Sequence, residues 1–210
     1  MGALAVLDIA AEPLCSRELL QSSCMAEAPI KTISTRTVYQ NKWSHVREDV
    51  IERAGGVRGI YGVLDKEPAC IIIPLERTPE GDFLTLVHQF RYTVQESFYE
   101  FPQGGWEMPD PDIAELARGE LREETGLSAG SMTEIGRNWI AYGAMRQMHH
   151  VWLAEDLSQG DMDLEAEEEG LTVHRVRVED FEQMLRDGRI MDNCTIAAWG
   201  TYLVRERGLK

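Results

Sequence analysis

The sequence predicts an α/β fold, a mixed sheet sandwiched between helices and preceded by a small antiparallel, strand-rich subdomain. Three features carry that reading. Residues 32–65 are rich in β-branched and aromatic side chains in rough alternation, the pattern of strands with one buried face. ACIIIPL, 69–75, is a continuous apolar run suited to a strand covered on both sides. Beyond it, helical and strand-like stretches alternate to the end of the chain.

Taken in order, residues 1–30 carry no sheet pattern and read as an extension. TISTRTVYQNKWSHVREDVIE (32–52) and VRGIYGVLD (57–65) read as strands parted by the glycine break at 54–56, and they define a front segment of 31–68. The remaining 69–210 form the main domain. FLTLVHQF (83–90) follows ACIIIPL across the turn PEGD. RYTVQESFYEFPQGGWEMPDPD (91–112), punctuated by glycine and proline, reads as a loop. A helix should then begin with Asp110 as its cap and Pro111 at its first position, and end at Gly126. Strands are expected near 135–143, 149–157 and 171–178, and two helices near 178–188 and 195–208.

The formal charge of −15 repels nucleic acid at long range and leaves carboxylates available for divalent cations. The four cysteines form no CxxC pair and share no ligand spacing with the five histidines, so neither a zinc site nor a disulfide framework is expected and a reducing cytoplasm fits best. No apolar run approaches the ~20 residues that span a bilayer, and the N terminus does not read as a signal peptide.

The chemistry concentrates in the expected helix. At 100° per residue, Ala114, Ala117 and Leu121 form an apolar stripe, and Glu120, Glu123 and Glu124 occupy the adjoining arc. Arg118 and Arg122 are expected to point away from that arc. Like charges at these spacings repel by a few tenths of a kcal/mol per pair, roughly, and more where partly buried. A hard divalent cation held through carboxylate oxygens relieves this. The arc borders the apolar stripe, so at least one of its carboxylates should lie at the core edge.

GWEMPDPDIAELARGELREETGL (105–127) resembles the signature of the Nudix hydrolases, with Gly105, Glu120, Leu121, Glu123, Glu124, Gly126 and Leu127 in register. Pro111 and Gly119 stand where the pattern has an acid and an arginine, and Asp110 is placed to stand in for the acid. The resemblance implies a Nudix-like α/β/α sandwich that cleaves nucleoside diphosphates linked to a second moiety. It also implies Mg²⁺ or Mn²⁺ held by Glu120, Glu123 and Glu124, with the Gly105 carbonyl as a further ligand.

HQFRYTVQESFYEFPQGG (88–105) ahead of the signature is similar to the ADP-ribose and nucleoside diphosphate sugar pyrophosphatases. That branch implies a nucleotide-sugar substrate, contacts from Arg91, Tyr92 and Glu100, and a homodimer built by the front segment. Tyr39, Trp43 and Tyr61 are available there for stacking on the base. In LEAEEEGLTV (164–173), the resemblance points to Glu167 as the base that takes the proton of water and Glu169 as a metal contact, with Glu124 the other catalytic carboxylate. Two other readings stay open. One is a hydrolase of dinucleoside polyphosphates or RNA 5′ ends; the other is a non-hydrolysing nucleotide-sugar sensor, which Pro111 and Gly119 favour. The likeness spans about residues 32–205.

Overall fold

The computed structural model describes residues 28–105, 112–162, 170–206 and 208. Contacts divide the chain into two compact units. Among the described residues, the first holds 28–35 and 49–61 and the second holds 36–48 and 62 onward.

The main sheet is built on β4 (Ala69–Thr78), the predicted apolar run, whose first seven residues are all buried. Its order is β11 (Thr172–Arg177), β5 (Gly81–Arg91), β4, β10 (Met148–Gln159), β8 (Leu127–Trp139). β10 runs parallel to β4, and the other neighbours along this order pair antiparallel. Because strand side chains alternate, β4 feeds two cores. Ile71, Ile73 and Leu75 join Val151 and Leu153 of β10 on one face. There they meet Phe181 and Met184 of α2 (Val178–Arg186) and Trp199 and Tyr202 of α3 (Asn193–Arg205). Cys70 and Ile72 join Trp152 and Ala154 on the other face, against Leu116, Ala117 and Leu121 of α1 (Ile113–Thr125). Helices thus cover both faces of a mixed sheet, as predicted. Ile72 and Ile73 are wholly inaccessible, and truncating either to alanine should cost about 2–5 kcal/mol.

The helix does not start where the sequence suggested. Asp112 is its cap, accepting from the Ala114 and Glu115 amides at 3.0 and 3.3 Å, and Asp110 and Pro111 lie outside the described residues. Its end is as expected: Gly126 is left-handed at φ 71° and donates to the Arg122 carbonyl. The chain then enters β8 directly, earlier than its exposed, serine- and glycine-containing sequence suggested, because pairing with β10 carries that strand. The stretch read as a loop holds two short strands, β6 (Glu96–Glu100) against β5 and β7 (Gln103–Gly105) against β4.

The front strands form a four-stranded sheet in the order β1 (Ile30–Gln40), β2 (His45–Arg53), β3 (Arg58–Asp65), β9 (Met145–Arg146). The short β9 pairs parallel to β3, so this sheet is mixed where an antiparallel one was expected. Alternation also predicted a buried face for β1, yet all of its residues are exposed, Ile33, Val38 and Tyr39 included.

Candidate active site

The site lies where β4 and β10 begin and β5 ends. Across the sheet His149, Ala69 and Gly105 fall in one row, and His150, Cys70 and Gly104 in the next. A cleft of about 1450 Å³ opens there, lined by Gly104, Gly105, Glu120, Glu123 and Glu124 among others.

The helix presents these carboxylates as its periodicity required. Glu124 is 2% exposed, which puts one carboxylate at the core edge, and its Oε2 accepts the Gln103 amide at 3.1 Å. Glu120 sits over Gly104 so closely that a Cβ there would fall on its carboxylate, which would have to swing aside. Cys70 lies beneath; burial, with Glu120 and Glu124 nearby, pushes its thiol far above the ordinary range. Glu123 is partly exposed and lies 3.3 Å from Arg122 Nη2. The expectation that both arginines turn away thus fails for Arg122, whose long side chain reaches sideways to its neighbour.

Opposite the helix, a second set of charges is fully engaged. Glu100, 2% exposed, accepts from Arg91 through both oxygens: Nε donates to Oε1 at 2.9 Å and Nη2 to Oε2. These bonds, outweighing the effect of burial, hold the Arg91 guanidinium above its ordinary pKa. The Gln103 amide donates to Glu100 at 2.8 Å and to Asp192 at 3.1 Å. Asp192 caps α3, accepting the Thr195 amide and hydroxyl at 2.8 and 2.7 Å, and Thr195 in turn accepts the Phe101 amide at 2.9 Å. Gln103 therefore ties Glu124, Glu100 and Asp192 together. Sequence reasoning missed this role, although Gln103 lies inside the quoted FPQGG and Asp-x-x-Thr at 192–195 is a legible capping signal.

Arg91, Glu100 and Trp43 line the cleft, whereas Tyr39, Tyr61 and Tyr92 are exposed outside its lining. Arg91 reaches Glu100 in this structure, so the pair stands where a phosphate contact was expected. Glu167 and Glu169 lie outside the described residues. Two further cleft residues, Gln89 and His149, have no functional role in the sequence reading, which takes His149 as strand-end core or surface. Gln89 Oε1 and His149 Nδ1 are buried without a hydrogen-bond partner, each a cost of about 1–3 kcal/mol. Burial lowers the His149 pKa to about 4.

Among the described residues, no three His, Cys, Asp or Glu side chains converge on one point. Glu120, Glu123 and Glu124 instead form a row along a cleft wall, one of them buried and one fitted against a glycine. An all-oxygen, carboxylate-rich donor set open to solvent suits a hard divalent cation that keeps part of its water.

An α/β/α sandwich with a row of glutamates at the open end of its central strands is the frame of a metal-assisted hydrolase. Residues 66–195 match the NUDIX domain, and residues 30–64 match the nucleoside diphosphate sugar hydrolase N-terminal domain. The chain belongs to the Nudix family, whose members depend on a divalent metal. It is 29% identical over 170 residues to an ADP-ribose pyrophosphatase of Bacillus subtilis (strain 168), covering 80% of this chain and 89% of the relative. A second ADP-ribose pyrophosphatase, from Mycobacterium tuberculosis (strain ATCC 25618 / H37Rv), is 25% identical over 174 residues, 82% of this chain and 83% of the relative. The fold is shared with a crystal structure of an ADP compounds hydrolase at a TM-score of 0.73 and 22% identity, over 88% of this chain and 96% of that one.

Proposed function

We propose that the chain is a divalent-metal-dependent pyrophosphohydrolase that cleaves ADP-ribose, or a related nucleoside diphosphate sugar, to a nucleoside monophosphate and a sugar phosphate. The observation that carries this reading is the row Glu120, Glu123 and Glu124 facing Gly104 and Gly105 along one cleft, in a Nudix domain preceded by a nucleoside diphosphate sugar hydrolase segment. Both curated relatives named above are ADP-ribose pyrophosphatases.

In this mechanism Glu120, Glu123 and Glu124 hold Mg²⁺ or Mn²⁺, with Glu169 and the Gly105 carbonyl as further ligands. The cation, when bound, lowers the pKa of water and neutralises charge on the diphosphate. Glu167 takes the proton of the water that attacks phosphorus, and the anhydride P–O bond breaks as the new one forms. Gln103 holds Glu124 by its backbone amide and Glu100 by its side chain, which fixes the two cleft walls against each other. Arg91, oriented by Glu100, faces the phosphates with Tyr92 beside it in sequence, and Trp43 stacks on the base with Tyr39 close by in sequence.

The reading includes a homodimer built by the front segment, 31–68, supported by the exposed apolar side chains of β1. It also includes a cytoplasmic location, supported by the free thiols of Cys70 and Cys194. Among the described residues no helix is long and apolar enough to cross a membrane.

The test is product release with Mg²⁺ from ADP-ribose, ADP-glucose, GDP-mannose and diadenosine polyphosphate. The proposal expects nucleoside monophosphate from one or more of the three nucleotide sugars. Turnover of the dinucleotide alone contradicts the substrate class, and tight binding without any turnover makes the protein a sensor.

A further inference from the structure

We infer that His149 and Gln89 are specificity-determining residues that hydrogen-bond the hydroxyl groups of the sugar on the substrate's second phosphate. This rests on the nucleoside diphosphate sugar reading above. Buried polar atoms in folded proteins are almost always paired. Gln89 Oε1 and His149 Nδ1 are not, and both belong to side chains that line the cleft. The imidazole is 8% exposed, so it is a wall of the cleft rather than a solvated surface group.

The chemistry of the two groups selects the ligand. Burial, reinforced by His150 and Lys66 and opposed by Asp192, keeps the imidazole neutral near pH 7. The Gln89 amide is neutral at every pH. The unpaired Gln89 carbonyl oxygen only accepts and so cannot pair with phosphate oxygens, which the charged residues of the same cleft, Arg91, Lys42, Lys66 and Arg146, are suited to meet. A hydroxyl both donates and accepts, so it can satisfy a carbonyl oxygen and either imidazole tautomer. A sugar supplies several hydroxyls on one rigid ring. A site that hydrogen-bonds a substrate hydroxyl also discriminates against ligands that lack it, because its own polar atoms then stay unpaired.

The experiment measures ADP-ribose and ADP binding calorimetrically to the metal-free full-length protein, to His149→Phe and to Gln89→Met. ADP shares the nucleotide and diphosphate and lacks the sugar. The parent should prefer ADP-ribose. Each variant should lose about tenfold for ADP-ribose, about 1.4 kcal/mol, while ADP stays within about twofold. A merely structural role would weaken both ligands together and overturns the inference. So does a parent with no preference for ADP-ribose over ADP. Gln89 is only partly buried, so Gln89→Met decides the matter even where His149→Phe unfolds. Loss of preference in the variants of a parent that does not cleave ADP-ribose sinks the hydrolase reading and leaves this one standing. Retained preference in variants of a parent that does cleave it sinks only this one.

Discussion

Replacing Gly104 with alanine separates the metal site from the fold. Gly104 lies in β7 opposite Cys70, and its φ is not in the left-handed region, so the backbone accepts a side chain without strain. Loss of glycine entropy in the unfolded chain should stabilise by about 0.4–1 kcal/mol. The new Cβ, however, falls on the Glu120 carboxylate. That group is the far end of a flexible side chain, and moving it off its rotamer costs about 0.5–1.5 kcal/mol. The two effects nearly cancel, so stability should change by less than about 1 kcal/mol. Displacing one carboxylate should instead raise the metal concentration for half-maximal activity about 10–100-fold, the range seen when groups supporting a metal site are lost.

The assay pairs denaturant unfolding without metal with activity over a Mg²⁺ titration. Gly119→Ala is the control. Its Cβ would stand 3.5 Å from Glu123 Oε1, an ordinary contact, so it should stabilise the helix by about 1 kcal/mol and leave the titration unchanged. A Gly104→Ala protein with the parental metal midpoint would refute the placement of Glu120 as a ligand.

Thr195→Val should cost about 1–3 kcal/mol in urea unfolding, because it strands the buried Phe101 amide that the hydroxyl now accepts. His149 gives a pH signature whose sign follows from its lowered pKa of about 4. Between pH 6.5 and about 4 the unfolded chain takes up the proton first, so stability falls as pH falls through that window. The parent should lose about 2 kcal/mol more than His149→Phe between pH 7 and pH 5, and equal losses would contradict the burial argument. Burial sets this value first; Asp192 opposes it, and His150 and Lys66 add to it. Glu167→Gln should lower turnover strongly and spare metal affinity; an unchanged rate moves the base elsewhere in LEAEEEG, 164–170.

Much of the layout was legible because it rests on periodicity. ACIIIPL announced a doubly covered strand, and the spacing of Glu120, Glu123 and Glu124 beside Leu121 required a carboxylate at the core edge, which Glu124 supplies. What escaped depends on contacts distant in sequence. β6 and β7 are too short and too interrupted by glycine and proline to signal themselves, and they exist through pairing with β5 and β4. Asp112 displaced Asp110 as the cap because two neighbouring acids carry the same local signal. The Gln103 bridge and the stranded His149 nitrogen come from strands brought together by the sheet, which no window of sequence contains.

The claim beneath all of this is that the α1 glutamates bind a catalytic divalent cation. Titrating the protein with Mn²⁺ in the presence of AMP, and following free Mn²⁺ by its paramagnetic resonance, tests it most directly. The account predicts saturable binding that Glu124→Gln weakens at least about tenfold while the fold persists. No binding by the parent, or equal binding by the variant, would contradict it.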